Sequence, residues 1–229
     1  MTETPRLHRL SVQRSARYFT LGGDGDVRSV WYVLHGYRQL ADRFIERFRE
    51  LASPARRIVA PEALNHFYLE DRATHGPHGP SAPVGATWMT RHDREVEIAD
   101  YVAYLDRLDE TLAPGRDVRR VVLGFSQGSQ TAARWAVLGA RPPHRLVLWG
   151  GVFPPDLDVA AHAARVAALE PVLIRSEQDE SLAPAKVDDE VARLATLGIT
   201  VTPVRHGGGH TIGRDALLEV ARVVDPSGG

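Results

Sequence analysis

The chain contains no cysteine. Disulfides, thiolate metal sites and a cysteine nucleophile are excluded together, and the absence agrees with a reducing compartment. Lysine is nearly missing too: Lys186 is the only one, so almost every positive charge is a guanidinium. Neither sign of charge is in excess. The 28 basic and 29 acidic residues leave a formal net charge of −1, which provides no bulk field toward DNA, RNA or anionic membranes. No stretch approaches the roughly 18–20 apolar residues of a membrane span. Met1 to Gln13 carries arginines and a proline but no apolar run of signal-peptide length. The expectation is a soluble cytoplasmic protein with no nucleic-acid partner and no stable membrane insertion. No sequence feature specifies an oligomeric state.

What is present is the material of one globular domain. The 229 residues are 43% hydrophobic and 25% charged, a length and balance that suit a single α/β core. Compact apolar runs at Ala16–Leu21, Arg28–His35, Arg57–Ala60, Val118–Phe125, Arg145–Trp149, Pro171–Arg175 and Ile199–Val204 read as strands. Between them, helical spacing appears at Ala41–Ala52, Arg94–Leu112, Gln127–Leu138, Ala160–Leu169, Pro184–Leu197 and Arg214–Val224. Such alternation predicts an α/β fold, a mostly parallel sheet with helices on both faces, over residues 1–229 as one domain. Residues 1–15 read as an N-terminal extension. Residues 61–90, rich in Pro, Gly and His, show no clear period and read as a long irregular loop near the site. Within that loop His75 and His78 suggest a mobile polar segment more than a metal site.

The sharpest motif is Gly124-Phe125-Ser126-Gln127-Gly128, a G-x-S-x-G between an expected strand and an expected helix. A serine on such a tight turn projects its hydroxyl at the start of a helix, and the small flanking residues let strand and helix approach. A hydroxyl is a weak nucleophile and needs a base beside it. Three histidines follow at useful distance. His162 falls in an expected helix, whereas His206 and His210 bracket Gly207-Gly208-Gly209 after the last strand. His210 is the favoured base and His206 the alternative; a His-x-x-x-His metal site would lack a third ligand nearby. The acid that holds the imidazole should follow Val172-Leu173-Ile174, with Glu177, Asp179 and Glu180 as candidates and Asp179 favoured.

These residues resemble the phospholipase/carboxylesterase family of α/β-hydrolases, which includes bacterial carboxylesterases and acyl-protein thioesterases. Gly124 to Gly128 is similar to that family's elbow and Leu34-His35-Gly36-Tyr37 to its oxyanion loop. Ser176 to Glu180 resembles its acid loop, which supports Asp179, and Gly208-Gly209-His210 its histidine loop. Pro61-Glu62-Ala63-Leu64 and Gly85 to Thr90 resemble a bacterial esterase branch, where this loop lines the substrate entrance. Two residues depart from the pattern: Ser129 and Arg38 stand where the family usually has glycine.

The resemblance implies an α/β-hydrolase fold and a serine esterase working through an acyl-enzyme, with Ser126, Asp179 and His210 as a catalytic triad and Tyr37 and Gln127 as backbone donors of an oxyanion hole. The substrate would be a small ester, with lysophospholipase or thioesterase activity as variants. Neither cofactor nor metal is expected. Phe67, Tyr68, Trp88, Met89, Trp149 and Phe153 are candidate walls of an apolar acyl site. An amidase, peptidase or lactone hydrolase on the same scaffold, or a non-catalytic binding module, are the alternatives.

Overall fold

The computed structural model describes residues 4–69 and 82–226. Its centre is a seven-stranded sheet in the order β1-β3-β2-β6-β7-β8-β9. The strands are β1 (Tyr18–Leu21), β2 (Ser29–Leu34), β3 (Arg56–Pro61), β6 (Arg119–Phe125), β7 (Arg145–Trp149), β8 (Val172–Ser176) and β9 (Thr202–His206). β1 runs antiparallel to β3, and the remaining pairings are parallel.

Side-chain alternation decides which helix covers which face. Val30, Tyr32 and Leu34 of β2, Val122 of β6, Leu146 and Leu148 of β7 and Leu173 of β8 turn to one side. They pack there against α2 (Arg94–Leu112), α3 (Gln127–Leu138), α4 (Ala163–Ala168) and α5 (Pro184–Thr196). Trp31, Val33, Val121, Leu123, Val147, Trp149 and Ile174 turn to the other side and meet α1 (Ala41–Phe44), the 3-10 helix Ile45–Leu51 that continues it, and α6 (Arg214–Val224). Burial on both faces is why these strands read as unbroken apolar runs. No helix among the described residues is long and apolar enough to cross a membrane.

Four expectations need correction. The helix expected over 41–52 is α-helical only through Phe44. Its buried residues Ile45, Phe48 and Leu51 recur every third position, which is the period of a 3-10 helix. Residues 61–90 are not uniformly irregular: Pro61 ends β3, and β4 (Asn65–Tyr68) pairs antiparallel with β5 (Val84–Thr87) as a separate two-stranded arm. The four-residue strands were too short, and Gly85 too disruptive, for alternation to show. Lastly, the strand expected at Ile199 begins at Thr202, and the helix expected at Ala160 begins at Ala163. His75 and His78 lie outside the described residues. Residues 4–15 carry no helix or strand and are exposed.

The strand order also places the site. From β2 the chain steps outward to β3, then returns to the other side of β2 as β6. The loops leaving β2 and β6 therefore diverge from neighbouring strands, and ligands of open α/β sheets bind at such a switch point, beyond the strand C-termini.

Candidate active site

Ser126 follows β6 directly and is the N-cap of α3, at φ 55° and ψ −120°. A serine in that position ordinarily caps a free N–H of the first helical turn. Here the side chain makes no capping bond, because the unusual backbone turns Oγ away from the helix. The turn closes only because its neighbours lack Cβ atoms. A Cβ on Gly124 would stand 2.1 Å from the Gly128 carbonyl oxygen, and one on Gly128 would stand 2.2 Å from that of Leu34. Ser129 fastens the elbow from below: its Oγ lies 2.7 Å from the Gly124 carbonyl oxygen and 2.8 Å from that of Trp149, and it accepts the Trp149 N–H at 3.1 Å.

The released Ser126 Oγ lies 2.9 Å from His210 Nε2. His210 Nδ1 lies 3.0 and 2.9 Å from the two carboxylate oxygens of Asp179. Asp179 is buried, 6% exposed, and its Oδ1 also accepts the backbone N–H groups of Ser181 (2.8 Å) and Leu182 (2.9 Å). An acceptor on Nδ1 keeps the proton there, so Nε2 presents its lone pair to the hydroxyl. The imidazole packs 4.9 Å from the Phe125 ring. The loop beneath it is equally tight: a Cβ on Gly150 would approach His210 Cε1 to 2.8 Å. Three residues separated widely along the chain thus converge at the C-terminal ends of β6, β8 and β9.

Solved structures share this architecture at low identity. Zea mays acyl-protein thioesterase 2 is 17% identical over 94% of this chain and 100% of its own, with a TM-score of 0.70. A carboxylesterase from Mesorhizobium loti is 19% identical over 91% and 93%, with a TM-score of 0.69. Esterase PE8 is 20% identical over 94% and 99%, with a TM-score of 0.64. The fold is that of the α/β-hydrolases. No family model matches the chain, and no curated protein does.

Within this hydrolase fold, two backbone N–H groups stand open beside Ser126. Gln127 is the first residue of α3 and has no helical carbonyl to bond. In the loop after β2, the Gly36 N–H donates to Gln39 Oε1 (2.8 Å) and the Arg38 N–H to the Ala86 carbonyl (3.0 Å). The Tyr37 N–H between them has no partner among the described residues. His35 stiffens this loop. Its Nδ1 bonds the Gly36 carbonyl at 2.8 Å and its Nε2 accepts the Ala63 N–H at 3.1 Å. Burial lowers its pKa, so the ring stays neutral and both bonds persist.

Gln127 does more than its main chain predicted. Its side-chain amide donates to the Met89 carbonyl at 2.9 Å and to Thr87 Oγ1 at 2.8 Å, and accepts the Trp88 N–H at 3.2 Å. The strand end of the β4–β5 arm is thereby clamped to the elbow. Thr87, Gln39 and Phe125 carried no separate signal in the sequence; only the last, inside the motif, could have been found.

Most of the expected pocket walls are core instead. Trp149, fully buried, points to the α1/α6 face because β7 alternates that way. Trp88 is 1% exposed, packs on His35 and Tyr101, and donates its Nε1–H to the His35 carbonyl at 2.8 Å. Met89 and Phe153 belong to the same buried cluster. Phe67 remains, half-buried and stacked on Tyr37 at 5.3 Å between ring centres, with Tyr68 exposed beside it. His206 does not face Ser126; it packs against Trp149. Among the described residues no group of three or more potential ligands is arranged to hold a metal.

Proposed function

We propose that the protein is a serine hydrolase that cleaves carboxylic esters through an acyl-enzyme. The observation that carries this is the 2.9 Å approach of His210 Nε2 to Ser126 Oγ, with Asp179 on the opposite ring nitrogen. In this reading Ser126 attacks the ester carbonyl as His210 takes its proton. The tetrahedral oxyanion is met by the N–H groups of Tyr37 and Gln127, each worth about 3–4 kcal/mol to the transition state. The imidazolium, stabilised by Asp179, then protonates the departing alcohol. Water, deprotonated by His210, attacks the acyl-serine, and the carboxylic acid leaves as Ser126 recovers its proton.

The strain at Ser126 supports the same reading: a serine held off its natural capping role serves no evident structural purpose. A small-molecule ester is the substrate, and no cofactor takes part. Esterase and amidase chemistry share these groups, so para-nitrophenyl esters of increasing acyl length should be compared with the matching anilides. The expected result is turnover of esters, slow or no turnover of anilides, and stoichiometric labelling of Ser126 by a fluorophosphonate. The Ser126→Ala protein should lose both turnover and labelling while unfolding at an unchanged midpoint. Full activity in that variant would overturn the assignment.

A further inference from the structure

A cleft of about 570 Å³ opens beside the loop that carries Tyr37, lined by Arg38, Arg43 and Arg47 together with apolar Phe44, Leu69 and Val84. Two of its residues adjoin segments of the candidate active site. Arg38 directly follows Tyr37. Arg47 Nη1 lies 3.4 Å from Oγ1 of Thr211, the residue after His210.

Among the described residues, no carboxylate lines this cleft. No carboxylate among the described residues forms an ion pair with any of the three guanidiniums, although three acidic residues lie on the same segment. Asp42 is turned to the Arg43 main-chain N–H at 2.7 Å, Glu46 is held by Arg49 at 2.7 Å, and Glu50 by Arg214 at 2.9 Å. Arg43 in α1 and Arg47 in the 3-10 helix that continues it both line this cleft. Arg38 holds a left-handed backbone, φ 70°, which costs a non-glycine residue about 1 kcal/mol or more. Three guanidiniums thus share one wall, one of them on a left-handed backbone, with no carboxylate partner among the described residues.

The geometry points to an anion subsite: the protein selects esters that carry a negatively charged group away from the scissile carbonyl, and the cleft arginines bind it. This rests on the hydrolase reading and names its substrate class. Guanidinium forks suit carboxylate and phosphate alike, and the apolar residues of the cleft suit a short hydrocarbon spacer.

Two matched pairs test it at low ionic strength. On the acyl side, para-nitrophenyl hemiglutarate is compared with para-nitrophenyl pentanoate. On the alcohol side, a phenyl butyrate bearing a ring-linked carboxylate is compared with its carboxamide. The expected result is a preference of about tenfold or more in kcat/KM for the anionic member of at least one pair, expressed in KM and shrinking as salt screens it. Arg43→Gln should cut that preference severalfold and leave the neutral ester unchanged; the Arg38→Gln/Arg43→Gln double variant should abolish it. Equal rates for both members of both pairs, or a preference that survives the double variant, would overturn the proposal. If the neutral esters are not hydrolysed and Ser126 is not labelled, the hydrolase reading fails separately. Calorimetric titration with glutarate and with inorganic phosphate then decides the cleft: heat lost in the double variant supports it, and no heat in the intact protein overturns it.

Discussion

A buried aspartate, a serine hydroxyl and a nitrogen base meet at both edges of the same sheet. At the N-terminal edge Asp225 Oδ2 accepts Ser29 Oγ (2.7 Å), Trp31 Nε1 (3.1 Å) and Arg56 Nε (2.8 Å). At the C-terminal edge Asp179 accepts two backbone N–H groups and His210, whose far nitrogen reaches Ser126. The parts are nearly the same; what differs is the group in the middle. The guanidinium of Arg56 cannot release a proton, so its network is saturated and Ser29 bonds the carboxylate directly. The imidazole stands between carboxylate and hydroxyl, with one nitrogen for each, and can pass a proton. The first network is suited to holding the fold, and the second, in the proposed reading, to chemistry.

Exchanging a single oxygen for nitrogen in each aspartate should separate the two most sharply. Asp179→Asn leaves acceptors for the Ser181 and Leu182 N–H groups but turns a donor toward His210, which fixes the wrong tautomer. Ester turnover should fall by about ten-thousandfold, with stability changed by about 1 kcal/mol or less. Asp225→Asn leaves Arg56, 8% exposed in its side chain, without its counter-charge. Urea unfolding should show a loss of about 3–5 kcal/mol, with turnover per folded molecule unchanged. A reversal of these two outcomes would end the distinction between the edges.

The pH dependence of stability sharpens the same contrast. Burial alone would raise the Asp225 carboxyl, but the bonds from Ser29, Arg56 and Trp31 outweigh it and hold its pKa below the ordinary 3.8. Asp156, gripped first by Arg134 and then by Arg94, is lowered to about 2. Carboxyls depressed in this way contribute stability that is complete above the unfolded value near 3.8 and is lost as pH falls through the folded value. Unfolding midpoints should therefore drop as pH goes from about 4 toward 2. The drop should be shallower in Asp225→Asn, which has nothing there left to protonate.

Much of the second edge was legible in the sequence, and little of the first. Glycines at 124 and 128 flanking Ser126, between an apolar run and a helical period, specify a local turn, and the local turn fixes the hydroxyl. His210 and Asp179 were found because each follows a strand, so the element order itself carried them to one rim. Asp225 gave no such sign: it is a single acid after the last helix, and only the packed sheet brings it to Ser29 and Arg56. The pocket walls failed for a related reason. Trp88 and Trp149 sit in the right segments, but the sheet is covered on both faces, so Trp149 at the end of β7 is buried whichever way the pleat turns it, and Trp88, just after β5, packs on His35 and Tyr101. The β4–β5 arm was missed because two four-residue strands are held mainly by Gln127 and the loop at Arg38, which are distant in sequence.

The two edges differ, finally, in backbone strain. Ser29, Trp31, Arg56 and Asp225 all have negative φ, whereas Ser126 and Arg38 do not. Replacing Arg38 by glycine should release that strain, so Arg38→Gly is expected to raise unfolding stability by about 1 kcal/mol. The same change removes a guanidinium from the cleft, so the proposed preference for anionic over neutral esters should fall while the neutral ester, whose proposed oxyanion contacts are main-chain, keeps its kcat within about twofold. Arg38→Lys separates the two effects: it keeps a charge and the strain, and should retain part of the preference with no gain in stability. A glycine variant that is no more stable than the parent would mean that the surrounding bonds, such as Arg38 N–H to the Ala86 carbonyl at 3.0 Å, already offset the strain. One that is more stable and equally selective would remove Arg38 from the account of the substrate.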